Sequence, residues 1–301
     1  MRLNELRASR PEYDDALHDT AHVLDMLNIE RLGSAHFRGS ANSGRPRIFG
    51  GLLVAQALMA ASKTTTRRPH VLHAMFVDAG REGSIDYAVE TLRDGGTFTS
   101  CRVAASQGGR TIFQMFASFQ DDEPGLAHQT PFPLSPEESM AGDACEIDNT
   151  DLVAWGPRWK HEAELAGTRF YRAPVEFFTS GWDPYENDRP GVERHILTRT
   201  PIALPAERGL HDALFAYLSD YCLLFAALQP HGIGRSDKRL QRASLDHSIW
   251  FHRPLRADEW LFHQMTSPSA SGGRGLSQSA VYDLAGNRVA TVMQEALIRL
   301  R

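Results

Sequence analysis

The chain has 301 residues, 42% hydrophobic and 23% charged, enough apolar matter for one large core or two small ones. A net charge of −5 and a pI near 6.2 argue against a nucleic-acid binder, which is ordinarily basic. Without a run of about 18 apolar residues no membrane span is expected, Met1–Arg10 shows no secretory signal, and the scattered Cys101, Cys145 and Cys222 fit a reduced cytoplasmic protein without a thiolate metal site.

Residues 13–32 alternate charges with Leu24, Leu27 and Ile29 at near-helical spacing. Arg38–Pro46 is rich in Gly, Ser and Asn and reads as a loop. A helix is predicted over 51–63, opened by Gly50-Gly51 and apolar almost all round, which implies burial. Strands are predicted near 71–78, 84–93, 98–107 and 111–120, with Asp94-Gly95-Gly96 and Gly108-Gly109 as turns. Residues 121–145 are rich in Pro, Glu and Asp and read as a linker, with a surface helix over 151–167.

A second unit then repeats the first. A strand near 193–200 leads to a helix over 210–228, which stops before Pro230-His231-Gly232. Strands follow near 244–252, 259–268, 274–283 and 288–299, the last turn being Asp283–Asn287. His73-Ala-Met-Phe76 and His247-Ser-Ile-Trp250 look like one feature in two copies. The expected organisation is an N-terminal unit over 13–121, a linker over 122–190 and a C-terminal unit over 191–301 that carries the chemistry. A long helix with antiparallel strands, and no βα alternation, predicts an α+β fold. The specific expectation is a double hot-dog, two long helices each wrapped by a curved antiparallel sheet. One such sheet leaves its edges exposed; two can join edge to edge.

Three polar residues interrupt apolar runs. Asp220 shares a helical face with Ala213, Ala216 and Ala227; an unpartnered buried carboxylate costs several kcal/mol or is driven neutral. A solvated strip or a nearby Arg would equally explain it. By strict alternation Ser244, Asp246 and Ser248 share one strand face and Leu245, His247 and Ile249 the other, although local hydrogen bonds are the commoner fate of such Ser and Asp residues. Gln294 lies with Val292 and Ala296; a buried amide needs partners or costs about 1–3 kcal/mol, and an edge-strand Gln facing water is the alternative. An ionised Asp can take a proton from water while a hydroxyl and an amide orient that water. The set suits thioester hydrolysis, because a thiol with a pKa of about 8.5 leaves without a strong general acid. Gly50 and Gly51 could offer amides to the carbonyl oxygen, and tight helix packing would explain them as well. No GxSxG, HExxH, GxGxxG or P-loop occurs. His247 and His252 read as packed or hydrogen-bonded residues rather than metal ligands. The set calls for no metal and no cofactor.

Longer motifs add to this. Arg47-Ile-Phe-Gly-Gly51 running into Gln56-Ala-Leu58, Glu90-Thr-Leu-Arg-Asp-Gly95, Tyr217-Leu-Ser-Asp220 and Ala227-Leu-Gln-Pro-His-Gly-Ile-Gly234 come in order. Ser244-Leu-Asp-His247, Trp250-Phe-His-Arg-Pro254, Arg274-Gly275 and Gln294-Glu295 follow. Over most of 22–120 and 193–299 the chain resembles the bacterial acyl-CoA thioesterase II family of fused double hot-dog proteins. The resemblance implies hydrolysis of acyl-CoA to a free acid and CoA, with Asp220, Ser244 and Gln294 positioning the attacking water and no covalent acyl-enzyme. Arg235, Lys238, Arg239 and Arg242 are then candidates for the CoA phosphates, a solvated basic loop being the alternative, and a homodimer or tetramer is expected. Three departures stand out: Phe76-Val-Asp-Ala-Gly80 lacks the family's Arg-Pro pair, Leu197 replaces a frequent Trp with a consequence expected for the acyl pocket, and 121–170 matches poorly. The other readings are a hot-dog hydratase or dehydratase, whose Gly-Asp-x-Asn-Pro-like loop is missing, and a non-catalytic acyl-CoA-binding protein.

Overall fold

The computed structural model describes residues 20–42, 47–133, 168–172, 175–179, 191–234 and 236–301. A helical stretch at 20–27 leads into β1 (Glu30–Arg31), β2 (His36–Ala41), α1 (Gly50–Ser62), β3 (Arg68–Phe76), β4 (Gly83–Asp94), β5 (Phe98–Gln107) and β6 (Arg110–Gln120). The C-terminal part contains β7 (Thr168–Arg172), β8 (Val175–Thr179), β9 (Glu193–Arg199), α2 (Arg208–Ser219), α3 (Leu223–Ala226) and a 3-10 turn (Gln229–His231). It ends with β10 (Leu240–Ser244), β11 (Asp246–Phe251), β12 (Leu261–Ser271), β13 (Arg274–Tyr282) and β14 (Arg288–Leu300).

All these strands join one antiparallel sheet of 14 strands, in the order β1-β2-β4-β5-β6-β3-β11-β14-β13-β12-β9-β8-β7, with β10 also on β14. The halves meet where β3 pairs with β11, His247 opposite Ala74 and Ile249 opposite Leu72. Alternation drives the layering: Phe113, Met115, Ala117 and Phe119 of β6, and Cys101, Val103 and Ala105 of β5, all turn inward. That inner face closes over α1, which is buried from Gly51 to Ala61, and over α2, which packs on α1. The two helices run antiparallel. A Cβ at Gly51 would lie 2.6 Å from the Tyr217 carbonyl oxygen, and at the other end one at Gly209 would lie 3.8 Å from Ser62 Cβ. Gly209–His231 is long and apolar enough to cross a bilayer by composition, yet its apolar stretch is almost wholly buried in this core.

Four expectations change. Most of Arg38–Pro46 was expected to be loop, but His36–Ala41 is a strand that buries Phe37, Gly39 and Ala41. Glycine is needed at 39 because a Cβ would meet Gln56 Oε1 at 2.6 Å. The helix over 210–228 breaks after Ser219 and resumes as α3. The strand from 244 begins instead at Leu240 and is interrupted at Leu245. The stretch read as a linker contains β7 and β8, which extend the sheet. It also holds Phe132 against Phe262 and Tyr282, at 5.1 and 5.2 Å, and Gln129, which accepts from the Arg288 N–H at 3.0 Å and donates to the Gly286 carbonyl at 2.9 Å. The helix predicted over 151–167 lies outside the described residues. Leu197 packs with Trp260, Phe262 and Tyr282, apart from the main core that holds its neighbour Ile196. It therefore sits on the sheet face opposite α2, away from any pocket beside Asp220.

Candidate active site

Asp220 caps the C-terminus of α2, with φ −84° and ψ −5°. Its side chain is 3% exposed and three donors meet it. Ser244 Oγ of β10 donates to Asp220 Oδ1 at 3.2 Å. Gln294 Nε2 of β14 donates to the same oxygen and to Ser244 Oγ at 3.0 Å. The Gly51 N–H at the start of α1 also bonds the carboxylate. Burial pushes the Asp220 carboxyl up to about 6, and the bonds from Gln294, Ser244 and Gly51 restrain that rise. The three residues singled out by sequence are thus in mutual contact, and the carboxylate is poised to exchange a proton near neutral pH.

The meeting of Ser244 with this group depends on a local irregularity. Ser244 is opposite Ala296, but Ser248 is opposite Met293; one extra residue is inserted between them, which is a β-bulge. Leu245 fills it. Its N–H donates to the Glu295 carbonyl at 3.0 Å, and its carbonyl accepts from the Phe76 N–H of β3 at 2.9 Å. Asp246 Oδ1 accepts the Glu295 N–H at 2.7 Å. The bulge overturns the strict alternation expected from sequence. Ser244 now faces inward with His247 and Ile249, which are fully buried, while Asp246 and Ser248 are only partly buried.

His247, read from sequence as packed or hydrogen-bonded rather than a metal ligand, is both packed and hydrogen-bonded. Its ring is fully buried, and Nδ1 lies 3.9 Å from Asp220 Oδ1. Ser219 Oγ donates to the Ala216 carbonyl at 2.9 Å and therefore accepts from His247 Nε2, 2.8 Å away. Burial pushes the imidazole down to about 3, so it is neutral. His73, its apparent counterpart, is exposed on the other sheet face and meets Ser248 Oγ at 3.0 Å and the Trp250 ring at 5.3 Å. The two histidines are not equivalent, because they stand on opposite faces.

Gly50 and Gly51 do different work. A Cβ at Gly50 would lie 2.8 Å from Asp220 Oδ2 and 2.9 Å from Phe76 Cζ, so its absence lets carboxylate and ring press against the backbone. The Gly51 amide, expected to serve a carbonyl oxygen, is directed to Asp220 instead. Of the basic residues, Arg235 lies outside the described residues. Lys238 and Arg239 are exposed, Arg239 paired with Asp237 at 2.7 Å, and Arg242 lies over the Phe225 ring at 5.8 Å. Where the family's Arg-Pro pair is missing, Asp78 pairs with Arg110 at 3.1 Å.

Two helices under one joined antiparallel sheet, with a buried, hydrogen-bonded carboxylate where they meet, define a double hot-dog protein built around a buried acid. Residues 177–297 match the acyl-CoA thioesterase family and residues 37–120 the acyl-CoA thioesterase N-terminal domain. The chain is 33% identical to acyl-CoA thioesterase 2 of Haemophilus influenzae, over 92% of this chain and 97% of that protein. It is 35% identical to human acyl-coenzyme A thioesterase 8, over 93% and 89%. A crystal structure of an acyl-CoA thioesterase II from Mycobacterium marinum superposes with a TM-score of 0.72 at 31% identity, covering 93% of this chain and 98% of that one. The chain belongs to the acyl-CoA thioesterase family.

Proposed function

We propose that the protein hydrolyses acyl-CoA thioesters through a water activated by Asp220. The observation that carries this is the convergence of Ser244 and Gln294 on one buried carboxylate. Asp220 takes a proton from water, and the hydroxide adds to the thioester carbon. The tetrahedral adduct expels the CoA thiolate, which recovers the proton from Asp220. A thiolate of pKa about 8.5 departs without further acid assistance. Ser244 and Gln294 hold the carboxylate and the water; Ser244 is not a nucleophile. The Gly50 N–H, in the first helical turn where no intrahelical acceptor exists, is the donor for the carbonyl oxygen. Lys238 and Arg242, just ahead of Ser244 along the chain, take the CoA phosphates; Arg239, already held by Asp237, contributes less.

The test is the pH dependence of kcat/KM. Only ionised Asp220 accepts a proton, so activity rises through about pH 6 and levels above it. A profile flat from pH 5 to 8 contradicts the general-base role. Release of free CoA, with oxygen from labelled water appearing only in the acid, separates hydrolysis from enoyl-CoA hydration and from binding without turnover.

The reading includes a cytoplasmic homodimer or tetramer. Met75 and Phe116, at 59% and 51% exposure, stand near the centre of the sheet's outer face and are a suitable contact. Sedimentation is expected to give at least twice the chain mass, and a Met75→Glu, Phe116→Glu double variant to halve it; an unaltered mass places the contact elsewhere.

A further inference from the structure

The buried side of Asp220 contains polar atoms that the hydrolytic reading leaves unused. His247 Nδ1, Gln294 Oε1 and Ser277 Oγ are all buried and make no hydrogen bond to the described residues. They are neighbours by construction. Ser277 is directly opposite Gln294 in the β13–β14 ladder, and the strand carrying His247 lies on the other side of β14. All three side chains belong to the inner face, with no exposure. Orphaned buried polar atoms are costly singly, and the one that faces Asp220, His247 Nδ1, belongs to a row of three across the inner face whose polarity suits buried water.

The tautomer of His247 follows from its partner. The Ser219 hydroxyl hydrogen is spent on the Ala216 carbonyl, so the imidazole proton is on Nε2 and Nδ1 carries a bare lone pair. That lone pair confronts Asp220 Oδ1 at 3.9 Å. Two acceptors at this separation repel when nothing lies between them, but they are well placed to share one water that donates to each. Such a water has both acceptors at about 2.8 Å and an angle of about 90° between its bonds.

We propose that His247 is a positioning residue which, with Asp220, holds a buried water, one O–H on Nδ1 and the other on the carboxylate. This rests on the reading of Asp220 as the base. The water shares Oδ1 with the Ser244 and Gln294 donors, faces the fully buried His247 ring, and is not the nucleophile. Its hydrogen bond favours the ionised carboxylate and keeps the acid limb from moving above neutrality. Among the described residues His247 is the only Lys, Arg or His within ion-pair reach of Asp220, and Tyr217, Tyr221 and Cys222 are its titratable neighbours along the chain. Gly50 and Gly51 of α1, Phe76 of β3, Ser244 of β10 and Gln294 of β14 surround it. Asp246 and Glu295 interact with each other on the outer side.

Two substitutions separate this role from simple packing. His247→Gln places an amide where Nε2 stands and keeps the Ser219 contact, but leaves nothing at Nδ1. His247→Asn places a carbonyl where Nδ1 stands and cannot reach Ser219. The acid limb of kcat/KM is expected to rise by about one pH unit in H247Q, a loss of about fivefold at pH 6 and little at pH 8.5, and to stay at the wild-type position in H247N. A limb unmoved in H247Q, or moved equally in both, overturns the proposal. A wild-type profile with no limb overturns the base reading and this inference together. If neither variant folds, imidazole nitrogen spectra of the wild type decide. A neutral ring with its proton on Nε2, whose Nδ1 resonance follows a titration near pH 6 that Asp220→Asn removes, supports the proposal; a proton on Nδ1, or no response, overturns it.

Discussion

Asp220→Asn is expected to lower thioester hydrolysis about 10³-fold, the range general-base catalysis supplies, and to melt higher than the wild type at pH 7.5. The first effect follows because the amide is nearly isosteric with the carboxylate but accepts no proton. The second follows from linkage. The folded-state pKa is about 6 against an ordinary 3.8. Protonation therefore favours the fold: the full contribution is present below about pH 4, declines as pH rises through about 6, and leaves a deficit of about 3 kcal/mol above that. Asn carries no such deficit, although one of its donors must face the Gly51 or Gln294 N–H. A net gain of about 1–2 kcal/mol is expected, or a Tm several degrees higher at pH 7.5, shrinking to nothing or reversing at pH 4. Calorimetry at the two pH values and an assay of free CoA check both halves. An active variant removes Asp220 from the chemistry, and a stability difference independent of pH means that its carboxyl is not held out of water.

This pairing of lost activity with gained stability reflects what a buried base costs the fold. It also shows why the site was partly legible in the sequence. Asp220, Ser244 and Gln294 each break an apolar run, and a polar side chain at such a position must find partners. The double hot-dog was legible because each unit repeats one helix and a set of alternating strands. What could not be read was made by tertiary contacts. Asp220-Tyr-Cys222 contains neither Gly nor Pro, so nothing local marks the end of α2. The bulge at Leu245 is stabilised by a side chain, Asp246, taking a ladder N–H, and by a carbonyl that pairs with the other half of the protein. Period-2 reading assigns Ser244 to the wrong face for that reason. His247 reads in sequence as packed or hydrogen-bonded, as it is, but its approach to 3.9 Å from a residue 27 positions earlier is a tertiary contact with no local signal.

The crossing of the helices should be as sensitive as the carboxylate. In Gly51→Ala the new Cβ would stand 2.6 Å from the Tyr217 carbonyl oxygen and 2.5 Å from Phe49 Cε1. The Phe49 ring can swing aside, but the carbonyl belongs to α2 and yields only if the helices separate. Overpacking of this kind costs about 1–3 kcal/mol. Separation also withdraws the Gly51 N–H from Asp220, a bond to a charged acceptor worth about 1.5–3 kcal/mol. The two together give an expected loss of about 3–5 kcal/mol and a Tm lower by about 5–10 °C or more. Gly50→Ala should behave differently, because the atoms nearest its Cβ would be side-chain ones, Asp220 Oδ2 at 2.8 Å and Phe76 Cζ at 2.9 Å. Those can move, so stability falls less while kcat drops with the displaced carboxylate. Melting curves and kcat/KM for both variants distinguish the cases. A Gly51→Ala protein that melts within a degree of the wild type and retains its kcat would show that α1 and α2 do not touch at this point, and the placement of Asp220 against the first turn of α1 would fail with it.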